Sequence, residues 1–301
     1  MSAPPAAVAT ARGRARAFGL VALAYAVALV VALASVIALE GVHPLGAVLG
    51  ADVAATLAIF AFSYAFANSS FYDPYWSVAP PAIALYLVSL PQARAVPELR
   101  KLLVLALVFA WGLRLTLNWA RGWTGLQHED WRYVEIRERT RGHYWVASLT
   151  AIHLFPTLQV YLGCLALWPA LVTGTRPLGP LDGLAALVTA GAIAIELVAD
   201  EQLRGFRRRA RPGEIMAEGL WAWSRHPNYF GEVAFWWGLG FFGLAADPKA
   251  LWCLVGPLAI SVMFVAASVP MLDRRMLARR PGYAEHVRRT SALIPWPPRS
   301  R

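Results

Sequence analysis

The segment Gly219-Leu-Trp-Ala-Trp-Ser224-Arg225-His226-Pro227-Asn228-Tyr229-Phe230-Gly231-Glu232 gathers more chemistry-bearing side chains than any other part of the sequence. Proline suits the first position of a helix, where its missing N–H costs nothing. Pro227 therefore predicts a helix start with Ser224, Arg225 and His226 crowded at its N-terminus. Backbone donors, a positive dipole end and two cationic or hydrogen-bonding side chains meeting there form a phosphate-binding arrangement. Asn228 and Glu232, four residues apart, share one helix face and offer an amide and a carboxylate, groups suited to a ribose or a carboxamide. Gly231 permits close approach of a ring or a neighbouring helix. The plainer reading is an interfacial helix start with aromatic anchors.

A second basic group precedes it. Arg204, Arg207, Arg208, Arg209 and Arg211 follow Asp200 closely. Forked guanidinium donors fit phosphate, so Arg204 and Arg207 are candidates to hold a phosphorylated cofactor. The same arginines also suit a topology anchor touching anionic headgroups.

Such residues need elements to carry them. The 301 residues are 58% hydrophobic and 15% charged, and the apolar residues come in long blocks rather than at a 3.6- or 2-residue period. Eight blocks can be drawn: Phe18–Leu39, Asp52–Ala67, Val78–Leu90, Leu102–Trp119, Tyr144–Val172, Leu181–Ala199, Tyr229–Ala245 and Leu251–Met271. The third is short and contains Pro80-Pro81, and the seventh is rich in glycine and aromatics, so six or seven spans also fit. The expected fold is an all-α polytopic membrane bundle of about eight spans, with both termini cytoplasmic.

The charge pattern supports that topology. With the N-terminus inside, eight spans put 22 basic residues in inner segments, from Arg12 to Arg301, and five in outer loops (Arg94, Arg100, Lys101, Arg176 and Lys249). Excess arginine and lysine mark the cytoplasmic side. The net charge of +10 is thereby read as membrane topology, and no nucleic-acid partner is implied. Cys164 and Cys253 sit inside apolar blocks without metal-ligand spacing, so neither a metal site nor a disulfide is expected. Residues 1–195 read as N-terminal membrane helices on the lipid-substrate side and 196–301 as the cofactor-binding region, within one membrane domain.

Ionisable groups inside spans are costly unless paired or facing a cavity. Arg114 and Asn118 lie one turn apart in the fourth block, Glu196 and Asp200 likewise in the sixth, Glu232 in the seventh and His153 in the fifth. Ion pairing between helices, for example Arg114 with Glu196, and a site at the inner ends of the spans are both open readings.

Arg225-His226-Pro227-Asn228-Tyr229-Phe230-Gly231-Glu232 resembles the signature of the steroid 5α-reductase superfamily. Asp200, Arg207, Pro212-Gly213-Glu214-Ile215, Trp236 and Ala292-Leu293-Ile294-Pro295 follow in matching order, so the resemblance covers residues 196 to 297. A looser Arg-His-Pro-x-Tyr-x-Gly also occurs in isoprenylcysteine carboxyl methyltransferases. The reductase resemblance implies a helical bundle in a bacterial inner membrane with a cytoplasm-facing NADPH pocket. It implies hydride transfer to a C=C bond of a lipophilic, steroid- or isoprenoid-like enone. By position, Asp200, Arg207, Asn228, Glu232 and Trp236 contact the cofactor, joined by Arg204, Arg225, His226 and Tyr229, with Tyr283 packed near. The glutamine–glutamate pair that polarises the ketone in the 5α-reductases has no counterpart here; Tyr72, Glu129 and Tyr133 take the acid role by analogy. The alternative is a methyltransferase using S-adenosylmethionine on a lipid-like acceptor. A non-enzymatic membrane protein is a third class, against which the absence of inverted repeats counts.

Overall fold

The computed structural model describes residues 11–299; the first ten residues, and Ser300 and Arg301 of the basic tail, lie outside them. The described residues form helices and connecting turns, with no strand beyond a single parallel bridge between Ser224 and Ser291. The α-helices are α1 (Ala11–Ala38), α2 (Pro44–Ala65), α3 (Tyr75–Ser89), α4 (Glu98–Gly122), α5 (Trp131–Thr140), α6 (Tyr144–Ala147), α7 (Phe155–Cys164), α8 (Pro180–Arg209), α9 (Pro227–Ala246), α10 (Val255–Met263), α11 (Val269–Arg279) and α12 (Tyr283–Arg289). π-helical turns at Ser148–Leu154, Pro169–Thr173 and Phe264–Ser268 join several of them.

Six helical stretches are long and apolar enough to cross a bilayer: Arg12–Ala38, Pro44–Ala65, Glu98–Gly122, Trp131–Thr173, Pro180–Arg209 and Leu251–Arg279. The chain is thus a multi-pass membrane protein. The two remaining blocks are helices for which other reasons apply. At 15 residues, α3 rises about 22 Å, short of the roughly 30 Å hydrocarbon layer. In α9 the buried residues include Gly231, Glu232, Phe235, Trp236, Gly238, Leu239, Gly240, Phe242 and Gly243. A helix enclosed by protein does not need the apolar surface that lipid demands.

Contacts group the chain into two compact units. One takes in the chain to Ile83 and Leu115–Tyr161; the other takes in Ala84–Arg114 and the chain from Leu162. The division expected at residue 196 falls inside α8, which stays whole in the second unit.

In the first unit Ala17, Val21, Ala24 and Ala28 form a stripe of small residues along α1 that packs with Ala55 and Ile59 of α2. Between membrane helices, where lipid is as apolar as the protein, such small side chains favour close backbone approach. Leu23, Leu29, Val30, Leu33 and Ile37 on the rest of α1 are exposed, as lipid-facing residues are.

The second unit uses the same device between α8 and α9. Gly231 and Gly238, two turns apart, face Ala192 with Glu196 and Thr189 respectively, leaving no room for a Cβ. Gly163 likewise lies against the fully buried Trp236 ring. At the start of α8, Asp182 accepts Arg100 Nε at 2.7 Å and Nη2 at 3.1 Å, and Arg100 Nη1 donates to the Arg176 carbonyl at 2.9 Å. This forked pair is buried, Arg100 entirely. It fixes the connection from Gly174 to α8.

Candidate functional site in the second unit

The approach to α9 is built on the end of α8. Gly219 has φ +56°, and a Cβ there would run into the Gln202 side chain. That close fit lets Gln202 Oε1 accept the Leu220 N–H at 3.0 Å, while Trp221 Nε1 donates to the Ala199 carbonyl at 3.0 Å. The chain then runs beside its own tail. Arg225 N donates to Ser291 O at 2.8 Å, Ser224 Oγ to Leu293 O at 2.8 Å, and Trp296 N to Trp223 O at 2.9 Å.

Pro227 occupies the first turn of α9, as its φ restraint favours. His226 stands at the cap, and Asn228 Oδ1 accepts the Tyr229 N–H at 3.1 Å. Asp273 of α11 gathers the side chains at this point. Its carboxylate accepts Arg225 Nη2 at 2.7 Å, His226 Nε2 at 2.9 Å and the Tyr283 hydroxyl at 2.7 Å. Arg225 Nη1 also donates to the Thr290 carbonyl at 2.6 Å. Arg225, His226 and Tyr283 are therefore tied to α11 and the tail. Burial, then the bond to Asp273, push the Tyr283 phenol above its ordinary range, so it remains a donor. The His226 ring stacks on Tyr229, centroids 5.4 Å apart.

One turn into α9 the chemistry changes sign. Glu232 accepts Trp111 Nε1 at 3.1 Å and Trp236 Nε1 at 2.9 Å, one indole on each oxygen. Arg114 spans two acids of α8: Nη1 reaches Asp200 at 2.9 Å and Nη2 reaches Glu196. The interhelical pair of Arg114 with Glu196 is thus formed. Asn228 lies in hydrogen-bond reach of Asp200, and Glu196 of Glu232. Glu196 Oε1 is buried and has no hydrogen-bond partner among the described residues.

Beyond Asp200, Arg207 lies in electrostatic reach of Arg204, Asp200 and Arg280, the last at the end of α11. Arg207 makes no ion pair among the described residues, and Arg280 has a buried Nη1 with no hydrogen-bond partner among them. Three guanidinium groups from two helices thus converge, and Arg207 and Arg280 have donors to spare, a fit for phosphate oxygens. Of the site residues read from the sequence, the fold brings Asp200, Arg204, Arg207, Asn228 and Glu232 to this end of α8 and α9. Trp236 is fully buried behind Glu232.

Tyr72, Glu129 and Tyr133 belong to the first unit. The Tyr72 hydroxyl, buried and pushed well above the usual phenol range by that burial, meets Thr157 Oγ1 at 2.7 Å. Thr157 meets Thr56 Oγ1 at 2.7 Å, and Tyr75 bonds to Asp52 Oδ1 at 2.7 Å. Glu129 braces the loop before α3: it accepts the Ser69 N–H at 2.8 Å and Arg137 Nη2 at 3.0 Å. Tyr133 donates to Asp73 Oδ1 at 2.6 Å. Burial raises the Asp73 carboxyl to about 6, against the pull of that bond. His153, in the π-helical turn, bonds to Ser63 at 3.0 Å and the Ser148 carbonyl at 2.9 Å, as a satisfied core histidine does.

The sequence from 59 to 290 matches the family described as "Protein of unknown function (DUF1295)". The chain belongs to the DUF1295 family. An uncharacterized protein of Schizosaccharomyces pombe is similar at 24% identity over 251 residues, 76% of this chain and 73% of the relative. No solved structure matches. The DUF1295 region takes in both units' polar networks: Tyr72 to Glu129 in the first, and Asp200, the Arg225–Glu232 segment, Asp273, Arg280 and Tyr283 in the second. Asp52 and the tail carbonyls of Ser291 and Leu293 lie outside it. Asp273, Arg280 and Trp111 are residues of this site that sequence reasoning passed over. A lone acid ahead of Arg274, Arg275, Arg279 and Arg280 was the signal available for the first.

Proposed function

We propose that this DUF1295 protein is a membrane reductase of the steroid 5α-reductase superfamily. It uses NADPH to reduce a C=C bond of a lipophilic, steroid- or isoprenoid-like enone. The observation that carries the reading is the convergence of Arg204, Arg207 and Arg280 beside the Asp200–Asn228 pair, with donors of Arg207 and Arg280 unmatched by acids. That donor set suits a phosphorylated dinucleotide, and the match of motif order from Asp200 to Pro295 supports it. The basic end faces the cytoplasm on this reading.

NADPH supplies the hydride when bound. The residues of the chain divide the remaining work. Arg204, Arg207 and Arg280 offer charge-assisted hydrogen bonds to phosphate. Asn228, held by Asp200, presents an amide to polar groups of the cofactor, and Glu232 is fixed in place by two indoles. An acid must also give a proton as the carbonyl oxygen of the enone becomes negative.

Binding of NADPH, NADH and S-adenosylmethionine to the detergent-purified protein tests the reading, with Arg207→Ala and Asn228→Ala alongside. The expected result is saturable NADPH binding, weaker for NADH, and reduced in both variants. Tight S-adenosylmethionine binding without NADPH binding sinks it in favour of a methyltransferase.

A further inference from the structure

His226 is 2% exposed, and its two ring nitrogens have opposite circumstances. Nε2 contacts Asp273 at 2.9 Å. Nδ1 is buried and has no hydrogen-bond partner among the described residues. The carboxylate of Asp273 also receives Arg225 and Tyr283, and an ionised carboxylate has no proton to give. The hydrogen of the His226–Asp273 bond therefore sits on Nε2. A neutral imidazole with its proton there carries a bare lone pair on Nδ1. The ring cannot turn to relieve that atom, because Asp273 grips one edge and Tyr229 covers a face. Asp273 is in turn immobilised by Arg225, itself anchored on the Thr290 carbonyl.

We propose that Asp273 is a positioning residue that fixes His226 as the Nε2–H tautomer, reserving its buried Nδ1 to accept from an O–H or N–H donor of the bound ligand. Under the NADPH reading, on which the ligand's identity rests, that donor is a ribose hydroxyl or the carboxamide. This separates His226 from the arginines. A phosphate oxygen needs a donor, and Nδ1 is an acceptor. The helix start before α9 thus recognises a neutral polar group, while the end of α8 holds the charge.

Two measurements test this. His226→Gln keeps a side-chain N–H in reach of Asp273 but has its one acceptor, the amide oxygen, next to that N–H and away from the Nδ1 position. It is expected to melt with the wild type yet bind NADPH about 10- to 100-fold more weakly. The second measurement needs no ligand. In protein labelled with nitrogen-15 histidine, His226 (identified by the signal missing from His226→Gln) should show a protonated Nε2 and an unprotonated Nδ1. In Asp273→Asn the Nδ1 signal should move toward the protonated range, since the side chain then offers an N–H of its own. A protonated Nδ1 in the wild type, an unmoved Nδ1 in Asp273→Asn, or unchanged NADPH affinity in His226→Gln overturns the proposal. Wild-type protein that binds no NADPH overturns the cofactor reading instead, and the nitrogen signals still decide the tautomer.

Discussion

Gly231 of α9 packs directly on Glu196 of α8: a Cβ at position 231 would strike the Glu196 side chain and come within 2.9 Å of the Ala192 carbonyl. The carbonyl is backbone and cannot swing aside. Gly231→Ala must push the helices apart, at about 1–3 kcal/mol or more for overpacking. Gly191 on α8, where a Cβ would meet nothing within 4 Å, is the control. Gly191→Ala should hold or gain up to about 1 kcal/mol from helix propensity. Thermal unfolding in detergent reads both, and equal behaviour of the two variants would refute the packing argument.

Arg100 and Asp182 make the other prediction about stability. Removing one partner of a buried, forked ion pair strands the other charge, at about 3–5 kcal/mol. Arg100→Met and Asp182→Leu should each lower the melting temperature sharply. The double variant should recover much of the loss, because two apolar side chains leave no charge unpaired. A double variant that melts at the sum of the two losses would show that the backbone carbonyls held by Arg100, rather than the pair, carry the stability.

The apolar blocks made the membrane class legible, since a span's length and composition answer to lipid alone. Where a helix answers to other protein, that rule weakens. In α9 the glycines that meet α8 and the carboxylate that meets Trp111 lower its apolarity, and Pro80 and Pro81 lie in a helix too short to span. The Arg114–Glu196 pair was readable because a charge inside an apolar block demands a partner. Asp273 was not, because an acid among arginines in a terminal segment reads as a solvated face. Only the fold shows that it holds Arg225, His226 and Tyr283 together. Arg280 was hidden the same way among its neighbours until α11 brought it to Arg207.

Asp73 gives a pH dependence. Its carboxyl sits at about 6 in the fold, above an ordinary value of 3.8, so the folded protein holds this proton more tightly than the unfolded chain. The associated stability is present in full below pH 3.8 and is lost as pH rises through about 6. It amounts to at most about 3 kcal/mol, at roughly 1.4 kcal/mol per tenfold change in proton affinity. Asp73→Asn should flatten the melting temperature across that window relative to the wild type. A variant whose pH profile overlays the wild type would rule out Asp73 as the titrating group.

The arginine cluster should discriminate between dinucleotides. If Arg207 and Arg280 bind phosphate, Arg207→Ala and Arg280→Ala should each weaken NADPH binding by about 10- to 100-fold, the range for a charge-assisted hydrogen bond of about 1.5–3 kcal/mol. Added salt should narrow the gap to the wild type, because part of the attraction is screened. Isothermal titration at low and moderate salt checks this. Arg208→Ala, at an exposed neighbour outside the Arg204–Arg207–Arg280 group, should bind as the wild type does; an equal loss there would mean a diffuse basic surface rather than a site.

Glu196 and Glu232 should respond in opposite ways to the same change. Glu196 Oε1 is buried and has no hydrogen-bond partner among the described residues, while its other oxygen accepts Arg114. In Glu196→Gln the amide oxygen can still accept Arg114 and the amide N–H adds a donor beside the Glu232 carboxyl, so stability should hold or rise. Glu232 has no such freedom. Both of its oxygens already accept an indole N–H, from Trp111 and Trp236. In Glu232→Gln one indole must face an NH₂ group, leaving a buried donor unsatisfied at about 1–3 kcal/mol. Melting temperatures of the two variants in detergent separate the cases. If Glu196→Gln loses as much as Glu232→Gln, the negative charge of Glu196 opposite Arg114 is what that position needs.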